Sequence, residues 1–185
     1  MKRLFLAILV MAASVTAGKA QFYVGGSLGF WHSGEKTSFG ISPDAGYSFN
    51  NRWAAGLAVG FDYWMDRPVH SIFFRQDVID FYAAPYARFN YFSKEKVKLF
   101  LDGVVGISTA TYKTDNPNFD IQGRKYTDWG WQVIIRPGIA INLTDHFCLV
   151  GTFGTLGYRN DYRNTTDGFG LDLHNSLGSG FYYSF

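Results

Sequence analysis

One cysteine, two glutamates and the absence of any helical period set the first limits on this chain. Cys148 has no second cysteine with which to form an intramolecular disulfide or a paired-cysteine metal site. It also does not stand where a lipid-anchored protein carries its acylated cysteine. Charged residues make up 17 % of the chain, below the roughly 25 % usual in soluble domains. The two glutamates, Glu35 and Glu95, both fall between strand-like segments. There is no basic run, which removes the electrostatic footprint expected of a nucleic-acid binder. No apolar run reaches the roughly 20 residues that a membrane-spanning helix needs.

What is present begins with "MKRLFLAILVMAASVTAGKA". Lys2 and Arg3 precede an apolar run from Leu4 to Val15, and small residues follow. That layout predicts a secretory signal peptide over residues 1–20, with cleavage after Ala20 or Ala17 and Ala20 preferred because a strand pattern starts directly afterwards. Without Lys2, Arg3 and Lys19, the 17 basic residues become 14 against 15 acidic ones, a net charge of −1. Residues 21–185 then form one domain.

From Gln21 onward, eight segments alternate apolar and polar or small residues with period two: 22–33, 38–49, 53–65, 77–92, 97–112, 127–143, 147–159 and 169–185. Most exceed the usual strand length of about five or six residues, and they suit the roughly 9–11 tilted residues that cross a bilayer. "NNR" (50–52), "SKEK" (93–96) and "TDH" (144–146) are tight turns after even strands. Longer loops are expected at 34–37, 66–76, 113–126 and 160–168, after odd strands. Short turns at one rim and longer loops at the other are the asymmetry of outer-membrane barrels. The expected fold is all-β, an eight-stranded antiparallel up-and-down transmembrane β-barrel.

Charge decides which face is which. Leu57, Val59, Leu101, Val105, Val133, Ile135, Leu171 and Leu173 share the apolar phase. Asp62, Asp80, Arg88, Lys98, Asp102, Arg136 and Asp172 all fall on the other, among glycine, alanine and serine. So sparse a polar face would coat a soluble barrel poorly, whereas small residues suit the filled interior of an eight-stranded one. The apolar phase is therefore assigned to lipid. Its rings gather at two heights, Tyr47, Phe49, Trp53, Phe89, Tyr91, Phe147 and Tyr183 beside the turns, and Phe39, Phe61, Tyr63, Phe81, Trp129, Trp131 and Phe169 toward the loops. Two girdles around an aliphatic band match rings settling at both membrane interfaces.

In lipid the sheet must close, so the last strand is expected to pair with "FYVGGSLGFW" (22–31). Three prolines, Pro43, Pro85 and Pro137, lie inside strands and predict bulges or local widening. Strand seven has nearly balanced faces, Phe147, Leu149, Gly151 and Phe153 against Cys148, Val150, Thr152 and Leu156.

On these residues the chain resembles the small eight-stranded outer-membrane barrels of the OmpA/OmpX type, within the porin-like family of outer-membrane β-barrels. Phe181, Tyr183 and Phe185 resemble the C-terminal signature by which such barrels are recognised for membrane insertion. The resemblance implies a non-enzymatic, monomeric, structural or surface-interacting protein of a Gram-negative outer membrane, without a cofactor. The implied partners are outer-membrane lipid and lipopolysaccharide, the barrel-assembly machinery, and a surface ligand met by the loops.

Two sharper readings remain open. The seven inward charges should pair, since unpaired buried charge is costly. They then form a salt-bridged plug, the favoured reading in so narrow a lumen, or they line a solute path. His174 and Ser176 form a His-x-Ser pair that resembles part of the motif of outer-membrane lipid A deacylases. Those enzymes supply a later glutamate, none follows Glu95 here, and the pair lies on the inward phase. Asp172 on the same strand is a poor substitute, because alternate residues of one strand do not converge as a triad. Among the loops, Phe73 with Phe74 offers a contact patch. Arg124 with Lys125, and Arg159 with Arg163, offer cations for lipopolysaccharide phosphates, with solvated loops as the favoured reading.

Overall fold

The computed structural model describes residues 21–33, 36–66, 75–116, 121–164, 167–173 and 178–185. The expected signal segment lies outside them. The strands are β1 (Gln21–Ser33), β2 (Lys36–Ser48), β3 (Trp53–Asp66), β4 (Arg75–Lys94) and β5 (Val97–Asn116). They continue with β6 (Ile121–Asn142), β7 (Phe147–Thr152), β8 (Thr155–Asn160), β9 (Gly168–Asp172) and β10 (Gly178–Ser184). All pair antiparallel in one sheet, which runs from β1 through β6 to β7 and back through β10 to β1. β7 with β8, and β9 with β10, are the two parts of single crossings. The wall is therefore the expected closed eight-stranded barrel.

The tight turns are built by short polar side chains. The Asn50 carboxamide oxygen accepts the backbone N–H groups of Arg52 and Trp53 at 2.8 and 2.9 Å. Thr144 Oγ1 serves His146 and Phe147 in the same way at 3.3 and 2.9 Å. Side chains of this kind mimic a backbone turn and reverse the strand within few residues.

The face assignment holds. Leu57, Val133 and Leu171 are 46, 51 and 64 % exposed, while Asp80, Asp102 and Phe100 are fully buried. Register partners on the outer face pair their rings, with centroids 4.8 Å apart for Phe22–Tyr47 and Trp53–Phe89 and 5.0 Å for Phe61–Phe81. The inner face works by a different pairing, in which a glycine stands opposite an aromatic ring. Tyr23 lies across from Gly46, Tyr86 from Gly56, Tyr82 from Gly60 and Phe100 from Gly138. A Cβ at any of these glycines would collide with the opposing ring. Each ring thus lies flat over its neighbouring strand, and the narrow lumen fills without strain.

The prolines behave as their chemistry requires. The β2–β3 ladder skips Ser42 and Pro43, and the β4–β5 ladder skips Ala84 and Pro85, both without a change of register. Opposite Pro137 the register does shift, between the β6–β7 and β6–β8 ladders, across Phe153 and Gly154. Gly154 adopts φ 72°, a left-handed conformation that glycine tolerates. One extra residue reverses the facing of everything beyond it. Phe147 and Phe153 point outward before the bulge, and Leu156 and Tyr158 after it. The balanced alternation of strand seven is this reversal, summed over both halves.

One expected connection is corrected. Most of 113–126 is ladder, with Lys113 paired to Lys125 and Tyr112 to Tyr126. The β5–β6 hairpin extends past the apolar band, where neither face needs to be apolar and alternation no longer marks a strand.

Candidate functional site

The lumen is the candidate site, and its polar groups occupy successive levels. Nearest the turns, β4 and β5 set Arg88 directly across from Asp102, and β6 brings Arg136 to the same carboxylate. Arg88 donates from Nε to Oδ1 at 2.8 Å and from a terminal nitrogen to Oδ2 at 3.0 Å. Arg136 donates to Oδ2 at 3.3 Å. The Arg88 guanidinium also lies 3.8 Å above the Phe100 ring. Asp102 is thus a buried anion between two cations, one of them gripped in a bidentate fork.

Above this level Asp44 accepts hydrogen bonds from the hydroxyls of Tyr86 at 2.8 Å and Tyr182 at 2.9 Å. The Tyr23 and Tyr86 oxygens are 2.8 Å apart. Because Tyr86 donates its proton to Asp44, Tyr23 donates to Tyr86. Tyr23, Tyr86 and Tyr182 belong to three different strands, so the network ties the barrel across its seam.

Toward the loops, Asp62 and Asp80 are register partners on β3 and β4. Arg163 pairs with Asp62 and lies 4.2 Å above the Tyr82 ring. Neither oxygen of Asp80 has a hydrogen-bond partner among the described residues. Arg163 was expected on a solvated loop and is found in the lumen. Asp161 and Arg163 take positive φ of 49 and 51°, so the 3₁₀ turn at Tyr162–Asn164 folds back inside the rim. The Asp167 carboxylate accepts the Asp161 N–H, and Ser108 Oγ accepts the Arg163 N–H.

The inward charges therefore separate into distinct groups rather than one cluster. Arg88, Asp102 and Arg136 come together; Asp62 pairs with Arg163, while Asp80, its register partner, has no ion pair among the described residues. Asp172 lies 4.0 Å from Arg159, and Lys98 has no ion-pair partner among the described residues. His174 and Ser176 lie outside the described residues, as do Phe73 and Phe74. Phe181 and Phe185 face outward, and the Tyr183 ring packs against Phe147 and Phe185 with centroids 5.2 and 5.0 Å apart.

Between the tyrosine level and the loops the lumen keeps a cavity of about 520 Å³, bounded by Asp44, Asp62, Gln132, Arg136, Tyr162 and Arg163 among others. Arg88, Phe100 and Asp102 do not border it. Among the described residues no three histidine, cysteine or acidic side chains are grouped to hold a metal ion.

Residues 4–174 match the outer membrane protein beta-barrel domain family. The chain belongs to that family. As a member of this outer-membrane barrel family, it crosses the membrane on strands and is assigned to the bacterial outer membrane. It superposes on a major outer membrane protein from Thermus thermophilus with a TM-score of 0.59 and 13 % identity, covering 90 % of this chain and 99 % of that one. The attachment invasion locus protein Ail of Yersinia pestis aligns at TM-score 0.44 and 14 % identity, over 91 % of this chain and 96 % of that one. The N-terminal β-barrel domain of Pseudomonas aeruginosa OprF aligns at 0.42 and 12 %, over 91 and 99 %. At these identities the likeness concerns the fold. No curated protein matches the chain in sequence.

Proposed function

We propose that this protein is a non-enzymatic, monomeric component of a Gram-negative outer membrane, with a structural or surface-interaction role. It is delivered by a cleaved signal peptide, and its lumen is sealed by charge pairs and rings. The observation that carries the sealed lumen is the level of Arg88, Asp102 and Phe100. Asp102 and Phe100 have no exposed surface, and Arg88 is buried between them. A conducting path would have to pass that level, and ions would have to displace a bidentate pair held in a filled barrel. The partners in this reading are outer-membrane lipid, lipopolysaccharide, the assembly machinery that reads Phe181, Tyr183 and Phe185, and a ligand met by the loops.

The test is conductance of the purified barrel in planar bilayers. No stable current steps are expected. Steps altered by Arg136→Ala or Asp102→Ala would replace the plug with a porin-like pore. A lipid A hydrolase using His174 and Ser176 makes a separate demand. Lipid A mass spectra of cells carrying wild type or His174→Ala would have to differ, and identical spectra are expected.

A further inference from the structure

The long β5–β6 hairpin sets two lysines side by side. Lys113 and Lys125 are register partners, so their side chains leave the same face of the sheet. Tyr112 beside Lys113 is buried, which makes that face the outer one, and both lysines are exposed. Like charges directly opposite each other across a ladder are destabilising. Asp77 on β4 lies opposite Lys113 and offsets one of the two charges. The β6–β8 ladder stops at Trp131 opposite Asn160, so no described strand residue faces Lys125 from its other side. One cation is left over.

Toward the turns from this pair, on the same face, the wall is hollowed. The outward pairs of β5 and β6 run in order Thr111 with Thr127, Thr109 with Trp129, and Ile107 with Trp131. The two threonine hydroxyls are 3.1 Å apart. Across from Thr109 on β4 is Phe81, and across from Ile107 is Ala83. Thr109 and Ala83 are small residues on a face otherwise built of rings and branched chains. They leave a groove of about 460 Å³, walled by Phe61, Phe81, Ile107 and Trp129. Those rings belong to the loop-side girdle, where aromatic side chains settle at the membrane interface.

Height and chemistry together define the occupant. Longer loops mark the outer side of such a barrel, so the groove faces the outer leaflet. The lysine pair stands four residues beyond Thr109 and Trp129, roughly 13 Å along strands that rise about 3.3 Å per residue. With strands tilted by about 35–45°, that is roughly 10 Å in height. The head-group layer is roughly 5–8 Å thick, and lysine stems lie back along apolar surface to bring their ammonium groups to it. A hollow in the wall forfeits dispersion contacts unless a chain fills it. A cation pair is relieved by an anion placed between its members, and lysine is a common phosphate binder. One molecule supplies both the chain and the anion.

We infer that this face is a docking site for a phosphate-headed lipid of the outer leaflet. The phosphate lies between Lys113 and Lys125, and one acyl chain lies in the groove over Ala83 and Thr109. The Thr111 and Thr127 hydroxyls meet the polar linkage between head and chain. The site rests on the outer-membrane lipid partnership proposed above and gives it a place on the barrel.

The whole barrel, labelled for amide NMR in phosphatidylcholine nanodiscs, is given increasing fractions of phosphatidic acid. Saturable shifts are expected at Lys113 and Lys125 and at Ala83, Thr109 and Trp129. Diacylglycerol, which has the chains alone, and inorganic phosphate, which has the head alone, should each act at least tenfold more weakly. Lys113→Gln/Lys125→Gln should weaken the phosphatidic acid response at least tenfold, and Thr109→Phe, which fills the groove, should remove the shift at Ala83. Heat-modifiable gel mobility checks that both variants fold. Inorganic phosphate as effective as phosphatidic acid would overturn the groove, and diacylglycerol as effective would overturn the phosphate seat. Saturable shifts elsewhere on the barrel, unchanged by the lysine variant, would overturn this site while leaving a lipid partner in place. No saturable shift anywhere would overturn the site and the lipid partnership together.

Discussion

Replacing Asp102 by asparagine tests the lumen at its most heavily used atom pair. The change keeps volume and shape but removes the charge, and it presents an NH₂ group where one carboxylate oxygen accepted. Asp102 has no exposed surface, and its oxygens take the bidentate fork of Arg88 and a third N–H from Arg136. Removing one partner of a buried pair costs about 3–5 kcal/mol, because the other charge stays buried without compensation. Arg136, about 31 % exposed at its side chain, is partly solvated, so the loss falls mainly on Arg88. The Phe100 ring beneath Arg88 persists and retains about 0.5–2 kcal/mol of that charge's stabilisation. The expected loss is therefore toward the lower figure, about 3 kcal/mol. The assay is urea unfolding of the barrel in phospholipid vesicles, followed by tryptophan fluorescence and by heat-modifiable gel mobility. The double variant Asp102→Asn/Arg88→Met, which removes both charges, should recover most of the loss, since an apolar replacement of a buried pair is often neutral. A loss below about 1 kcal/mol for Asp102→Asn, or a double variant no better than the single one, would refute a desolvated pair at this level.

Other parts of the wall make independent predictions. Gly138→Val drives a side chain into the Phe100 ring and should cost about 1–3 kcal/mol as overpacking. Gly103→Ala is the control, because its Cβ would find only the Ala87 carbonyl oxygen at 4.0 Å, and stability should change by no more than about 0.5 kcal/mol. Val133→Arg places a charge on the outer face within the aliphatic band and should cost about 2–4 kcal/mol in vesicles. Gly154→Ala puts a side chain at φ 72° and 2.7 Å from Leu173, so it should destabilise by about 1–2 kcal/mol, read from the same unfolding curves.

Much of this architecture can be read in the sequence because a barrel wall in lipid imposes a two-residue rhythm with opposite demands on its faces. Leu57, Val133 and Leu171 satisfy one demand, and Asp80 and Asp102 the other. The rhythm fails where those demands lapse. Beyond Thr111 the β5–β6 hairpin leaves the apolar band, and Lys113 opposite Lys125 resembles loop sequence. At Gly154 the rhythm continues but changes phase. The signal was present in Pro137, which removes a ladder donor, and in the neighbouring strand's glycine, but neither identifies the exact slip alone. Charge partners are harder still. Arg163 lies far from Asp62 in sequence and reaches it only because a turn with two positive φ angles folds inward. The tyrosines around Asp44 alternate like any other inward residue, and only the register shows that three of them converge there.

The glycines join these levels into one design. An eight-stranded cylinder is too narrow to hold a large residue on every inward position, so each ring needs an empty site beside it. Glycine opposite tyrosine or phenylalanine supplies that site at Gly46, Gly56, Gly60 and Gly138. Toward the turns, rings and the Arg88–Asp102 pair fill the section. Toward the seam between β1 and β10, Gly25, Gly26, Gly29, Gly178 and Gly180 gather. Gly25 and Gly180 abut the opposing strand there, but Gly29 faces open space. The same residue type that permits tight closure around a ring leaves room for the lumenal cavity where no ring is supplied. The lumen is accordingly packed toward the turns and keeps its cavity in the half that carries the loops.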